Sequence, residues 1–336
     1  MPLNNNIHII NMKKSNQRLS ERFQEIQVYT PCHHHLERLS LALELTRHRL
    51  NLLHSPDFIP PVGGADKFII TVHDLTFLHY PQYLTDDSKA YYNQQIEAAV
   101  QQADHILCDS NSTRIDLMEM LAVPEDKITV HMLGVDDTFK PLAIEASQAI
   151  LAHLNLPDSY FLFVGTLEPR KNFAGLLKAY TDLQDQYPDC PPLVIIGKKG
   201  WLFEGILAQI EQLNSKRIIW KESIETDQLP AVYNQALAVL TPSFYEGFGL
   251  PALEGMACGT VPIVSNRSSL PEIVGDVGIL IEPEDSSSIT KAMEKVQQDS
   301  EWRITMQQKA IERAQQFTWE KTAEIVLNSY QKVLQS

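Results

Sequence analysis

Twice along this chain, apolar runs rich in Val and Ile alternate with segments whose apolar residues recur at helical spacing. That alternation constrains the fold more than any other feature. The first series is KFIITVHD, YYNQQIEAAVQQ, DHILCDS, STRIDLMEML and KITVHML, and DDTFKPLAIEAS at 136–147 interrupts it. The second runs SYFLFVGT, FAGLLKAYTDLQ, PPLVIIGKKG, GILAQIEQLN, KRIIW, QLPAVYNQA, LAVLTPS, TVPIVSN and SLPEIVG. Strands written as continuous apolar runs and separated by helices predict parallel sheets buried on both faces. A length of 336 residues fits two such units. We expect an α/β protein with a first Rossmann-like domain over 1–140 and a second over 141–336, facing each other across a cleft. Helices over roughly 286–334 close the chain and are free to pack back on the first domain.

A formal net charge of −14 argues against a broad nucleic-acid or anionic-membrane footprint, because such surfaces need excess Lys and Arg. Any anion must therefore be met by local groups. Cys32, Cys108, Cys190 and Cys258 are far apart and form no CxxC pair, so neither a zinc ribbon nor a disulfide framework is suggested, and a reducing cytoplasm fits. The run CHHH at 32–35 has no ligand-spaced partner, so a structural metal is set aside. MPLNNNIHIINMKKSNQRLS lacks the apolar core of a secretory signal, and no later segment has the apolar length to span a bilayer. LERLSLALELTRHRLNLL, 36–53, carries apolar residues at helical spacing with Arg and His on the other face. Core packing is expected there, with peripheral membrane contact as the alternative.

Within TPSFYEGFGLPALEGMACGT, 241–260, a buried strand gives way to a turn with Gly247, Gly249 and the backbone of Phe248 and Leu250, and then to a helix with Pro251 in its first turn. A helix N-terminus favours an anion such as a diphosphate, and glycine lets the backbone come close. Glu246 and Glu254 bracket that site. Carboxylates beside a phosphate would repel it, so their expected partners are hydroxyls, which a nucleotide-sugar supplies on both sides of its diphosphate. Glu246 would face the sugar and Glu254 the ribose. The competing reading is a glycine turn with helix-capping acids.

In FVGTLEPRKNFAGLLKAY, a strand ends at Gly165 and a helix begins near Asn172, which sets Arg170 and Lys171 at the carboxyl edge of a sheet. An adjacent Arg and Lys could clamp a diphosphate and stabilise charge on a departing phosphate, although such a pair can equally be solvated surface. In TVHDLTFLHYP a strand delivers His73 and Asp74 to the corresponding edge of the first domain. His73 could bond a sugar or carry a proton, or be structural, held by a carbonyl or by an acid such as Asp74. The G-x-S-x-G elbow and the Walker P-loop are both absent, against hydrolase and P-loop readings.

Taken together these stretches resemble the retaining glycosyltransferases of family 4, over a match that runs from about residue 50 to the end: HSPDFIPP, TVHDLTFLHYP, ADHILCDSNSTRIDL, LGVDDTFKP, FVGTLEPRKN, VIIGKKGW and YEGFGLPALEGMACGTVPIVSNRSSLPEIVGDVGILIEPED. The resemblance implies the GT-B arrangement and transfer of a hexose from a nucleoside diphosphate sugar to a hydroxyl, with retention of configuration. It implies that Glu246 contacts the donor sugar, Glu254 the ribose, and Arg170 with Lys171 the diphosphate in place of a metal, so that neither metal nor other cofactor is needed. His73 matches the family's histidine near the donor sugar. By the same analogy Gly165, Gly197, Lys198 and the backbone from Gly247 to Leu250 line the donor, and the base lies near Glu222 to Ile224. The GTLEPRKN and GKKGW variants are similar to mannosyltransferase-like members making cell-surface polysaccharide. GDP-mannose is thus the preferred donor over a UDP-sugar, and a saccharide or lipid-linked saccharide the acceptor.

One departure matters. Relatives begin with a strand, a glycine-rich loop and a long helix, whereas IHIINMKKS here matches their second strand and no glycine precedes residue 62. The N-terminal domain is therefore expected to be shortened, through a start site placed downstream, a natural truncation, or descent into a donor-binding subunit that does not transfer.

Overall fold

The computed structural model describes residues 7–13, 23–31, 36–83, 86–213 and 215–336. The CHHH run lies outside them. The chain opens with β1 (His8–Met12) and β2 (Gln24–Val28), paired in parallel as a separate two-stranded sheet. Ile26 and Val28 pack it on Leu45, Leu53 and Phe68.

Helix α1 (Glu37–Thr46) follows, then β3 (Leu50–Ser55), β4 (Ala65–Val72), α2 (Thr76–His79), α3 (Asp86–Gln102), β5 (His105–Cys108), α4 (Asn111–Leu121) and β6 (Ile128–Val130). The single helix expected over 36–53 is thus corrected: the helix stops at Thr46, Arg49 turns the chain with φ 50°, and LNLLHS is an edge strand. Short apolar runs fit either period, and here sheet pairing with β4 decides. The four strands lie in the order β3-β4-β5-β6, all parallel.

The second unit holds α5 (Ile144–His153), β7 (Tyr160–Val164), α6 (Phe173–Gln186), β8 (Leu193–Ile196), α7 (Glu204–Leu213), β9 (Ile218–Lys221), α8 (Leu229–Gln235), β10 (Ala236–Thr241), α9 (Leu250–Ala257), β11 (Val261–Ser265), α10 (Leu270–Val274), β12 (Ile279–Ile281), α11 (Ser286–Gln298), α12 (Ser300–Ala314) and α13 (Trp319–Gln335). Its six-stranded parallel sheet has the order β12-β11-β10-β7-β8-β9. Alternate residues of each strand feed opposite clusters: Tyr160, Leu162, Val194 and Val239 pack on one face, Phe161, Phe163, Ile195 and Leu240 on the other. Both faces are therefore covered, which is why these strands carry no polar alternation.

The chain enters this sheet at β7, runs outward through β8 and β9, then returns to β10 on the other side of β7. The reversal opens a crevice at the carboxyl ends of β7 and β10, the place where open α/β sheets receive ligands. At the far end, α13 leaves the second unit and covers the free face of the first sheet. Val333 packs on Ile69 and Leu107, and the Tyr330 hydroxyl meets His54 Nδ1 at 2.6 Å. Beside the crossover, Val135 N donates to Phe317 O and the Thr322 hydroxyl to Met132 O, so the two chain passages between the units run side by side.

Candidate active site

The residues picked from sequence lie at the carboxyl edges of the two sheets. Gly165 ends β7, Gly197 follows β8, and their backbones touch: a Cβ on Gly197 would fall 1.8 Å from Gly165 O, so only glycine fits. Trp220 Nε1 donates to Gly197 O at 3.1 Å, while Lys198 is exposed and Ile224 packs on the domain core. After Gly165 the chain passes Glu168 and forms a short turn holding Arg170 and Lys171. Asn172 anchors the turn: its side chain donates to Pro242 O and Pro283 O and accepts from Gly175 N.

This turn faces the residues after β10. Arg170 Nη1 donates to Glu246 Oε2 at 2.8 Å and to Tyr245 O at 2.7 Å, and Nη2 to Glu168 Oε1 at 2.7 Å. Lys171 Nζ donates to Glu246 Oε1 at 2.6 Å, as does the Ser243 hydroxyl. The two basic residues and Glu246, separated in sequence by some 75 positions, thus form one buried cluster with Glu168. Two cations balance two carboxylates. Exposed pairs such as Lys178–Asp182 contribute about 0–1 kcal/mol, whereas breaking a buried pair strands a charge at a cost of about 3–5 kcal/mol, so this cluster is the charged element whose disruption matters.

Burial alone would raise the Glu246 carboxyl, but Lys171, Arg170 and the Ser243 hydroxyl outweigh it and hold it down to about 2. It is ionised across the working pH range. The Ser269 hydroxyl on the loop after β11 donates to Glu246 O and Phe248 O, and the Ser268 hydroxyl accepts from Glu246 N. Phe248 itself turns inward, its ring buried and 6.1 Å from that of Phe317. Gly249 precedes α9, of which Leu250 is the first residue.

Glu254, one turn into α9, accepts from the Tyr233 hydroxyl at 2.8 Å, and burial pushes its carboxyl up to about 7. A carboxyl raised on folding adds stability that is complete below its ordinary value of 4.5 and is lost as pH climbs through about 7. The protein should therefore lose melting temperature between about pH 4.5 and 7, and Glu254→Gln should flatten that slope. Parallel slopes in thermal melts of the two proteins would show that Glu254 does not titrate there.

In the first domain, His73 follows β4 and keeps a 56% exposed side chain. Its Nδ1 donates to Asp109 Oδ2 at 2.8 Å and its Nε2 to Pro56 O at 3.0 Å. The sequence offered Asp74 as a holding acid; the structure uses Asp109, which follows the neighbouring strand β5, while Asp74 Oδ1 accepts from Thr76 N. With acceptors facing both ring nitrogens, the imidazolium is the satisfied form, and the Asp109 hydrogen bond, opposed by burial, raises the His73 pKa. Both ring nitrogens of the protonated form are thus spent within the first domain.

The two motifs meet. A Cβ on Gly247 would lie 2.6 Å from His73 O and 2.8 Å from Asp74 Cβ, so the EGFGL turn of one domain sits on the VHD strand end of the other. Nearby, the Tyr245 hydroxyl donates to Asp116 Oδ2 at 2.5 Å, and Tyr80 and Tyr83 pack on Phe244. Asp109, Glu168, Ser243 and Tyr245 were missed in the sequence. Asp109 carried a usable signal, since CDS follows a strand as VHD does. A cavity of about 460 Å³ lined by Asp104, His105, Asp126, Lys127 and Lys332 opens at the amino edge of the first sheet, the wrong end for an α/β ligand site. Among the described residues, no group of three or more His, Cys, Asp or Glu side chains could hold a metal ion, and no helix is long and apolar enough to cross a membrane.

This fold agrees with comparison to known proteins. Residues 150–317 match the family of glycosyl transferases group 1, and residues 18–139 match glycosyltransferase family 4. O-antigen chain mannosyltransferase B of Escherichia coli is 32% identical over 282 residues, covering 83% of this chain and 74% of that protein. The serotype-specific mannosyltransferase WbdA of Escherichia coli is 30% identical over 284 residues, covering 83% of this chain; the chain spans only 35% of its length. Sucrose-phosphate synthase from Thermosynechococcus elongatus shares the fold with a TM-score of 0.75 at 21% identity, over 97% of this chain and 88% of that one. The chain belongs to the group 1, family 4 glycosyltransferases and has their GT-B fold.

Proposed function

We propose that this transferase moves a hexose, preferably mannose, from a nucleoside diphosphate sugar to a hydroxyl of a saccharide or lipid-linked saccharide acceptor, with retention of configuration. The observation that carries the reading is the Arg170–Lys171–Glu246 cluster at the crevice between β7 and β10. A diphosphate seated there takes over hydrogen bonds from Arg170 and Lys171 that Glu246 now accepts, and Glu246 turns to the sugar hydroxyls. Glu254 receives the ribose hydroxyls. As the bond between the anomeric carbon and the phosphate oxygen breaks, the charge left on phosphate meets two fixed cations, which do the work of a divalent metal. The acceptor oxygen attacks from the face the phosphate leaves, and a phosphate oxygen takes its proton. Glu246, ionised down to about pH 2, is too weak a base for that proton and acts as a positioning group.

The mannosyltransferase names of two relatives support mannose and a role in cell-surface polysaccharide or glycolipid synthesis. Leu39 and Leu43 on α1, 56% and 78% exposed, with Arg47 at its end, support peripheral contact with the cytoplasmic membrane face. Calorimetric titration with GDP, UDP and their mannose and glucose conjugates, without added metal, followed by an assay of sugar transfer, tests the proposal. One nucleotide should bind and its conjugate should be consumed. Binding without consumption in the presence of saccharide acceptors would favour a donor-binding subunit, and no binding by the folded chain would overturn both readings.

A further inference from the structure

Helix α4 of the first domain is held from the second. Its first three backbone amides have acceptors: Thr113 N donates to Ser110 Oγ at 3.1 Å within the domain, but Asn111 N and Ser112 N donate to Glu272 Oε2 and Oε1 at 3.1 and 3.0 Å across the cleft. Asn111 Nδ2 adds a third bond to Glu272 at 2.9 Å. Glu272 is itself fixed on α10, where Arg313 donates to Glu272 O and Ile273 O. Early helix amides left without an acceptor favour a carboxylate, and this one comes from the partner domain.

The residues around that contact hold His73. Asp109, two positions before Asn111, accepts from His73 Nδ1, and the Thr113 hydroxyl donates to His73 O at 3.3 Å. His73 O is the atom on which Gly247 rests. We propose that Glu272 is a positioning residue for transfer: by capping α4 from across the cleft it sets Asp109 and Thr113, and through them fixes His73 against the donor-site turn. This rests on the transferase reading given above, and Glu272 touches no reacting atom.

The test reads His73 directly. Its titration is followed by NMR in the full chain and in Glu272→Gln, with the signal assigned by its loss in His73→Ala. The groups facing His73 are Asp109 after β5, Pro56 O and Asp57 before β4, His54 on β3 and His131 after β6. None of these is changed by Glu272→Gln, but the lost charge itself lowers the midpoint, so a shift of the His73 midpoint to lower pH reports loosening of the Asp109 contact when Asn111→Pro, which keeps that charge, shows it too, and a midpoint unmoved in Asn111→Pro overturns the proposal. Transfer should also fall about ten-fold in Glu272→Gln but not further when added to His73→Ala, whereas independent losses would multiply and refute the coupling. Should Glu272→Gln fail to fold, Asn111→Pro removes two of the three bonds at a helix position that accepts proline after an extended Ser110, with the same expected shift. Absence of any sugar transfer in the parent chain would sink the transferase reading alone, since the NMR midpoint still decides the positioning role.

Discussion

Replacing Arg170 by Ala should lower transfer by at least about two powers of ten, the usual scale for loss of a group that stabilises developing charge. The same is expected of Lys171→Ala. Arg170→Ala strips Glu168 of its ion-pair partner, and Lys171→Ala leaves Arg170 alone against two buried carboxylates, so stability falls as well, by about 3–5 kcal/mol if nothing rearranges. Turnover must therefore be compared at a temperature where thermal melts show each variant folded. Arg170→Lys should not restore the rate, because one ammonium cannot reach Glu168, Glu246 and Tyr245 O as the planar fork does. Near-parental turnover in either alanine variant would remove these cations from the mechanism.

Gly247→Ala should separate binding from transfer. The added methyl would press on His73 O, an atom of the other domain's backbone that has no rotamer to give, so the cleft must widen. Misplacement on the order of 1 Å can cost about 100-fold in rate. The second domain, which carries Arg170, Lys171, Glu246 and Glu254, keeps its core, so nucleotide affinity and melting temperature should change little. Equal turnover in Gly247→Ala would mean that transfer does not need this contact.

Much of this was legible in the sequence because each motif is local. A strand run followed by VHD, GTLEPRKN or EGFGL announces a carboxyl-edge site wherever the strand lies in its sheet. Which edges become neighbours is set by strand order, and that is not local. Arg170 meets Glu246 because β10 returns beside β7, and His73 meets Asp109 because β4 pairs with β5. Asp74, adjacent in sequence and the obvious partner for His73, is spent on the turn that starts α2. Glu272 was invisible for the same reason, since SLPEIVG reads as an ordinary helix start and its carboxylate serves a helix in the other domain. The helix over 36–53 was overextended because LNLLHS carries an apolar pattern that suits a strand as well.

The paired passages at 132–135 and 317–319 also govern how the molecule can move. A single linker would let one half swivel, slide or twist against the other. Two parallel linkers, tied by Val135 N to Phe317 O and by Thr322 to Met132 O, leave rotation about the line through them as the soft motion. Any opening of the cleft would then be a swing about that line, parting Glu272, Tyr245 and Gly247 from their partners together.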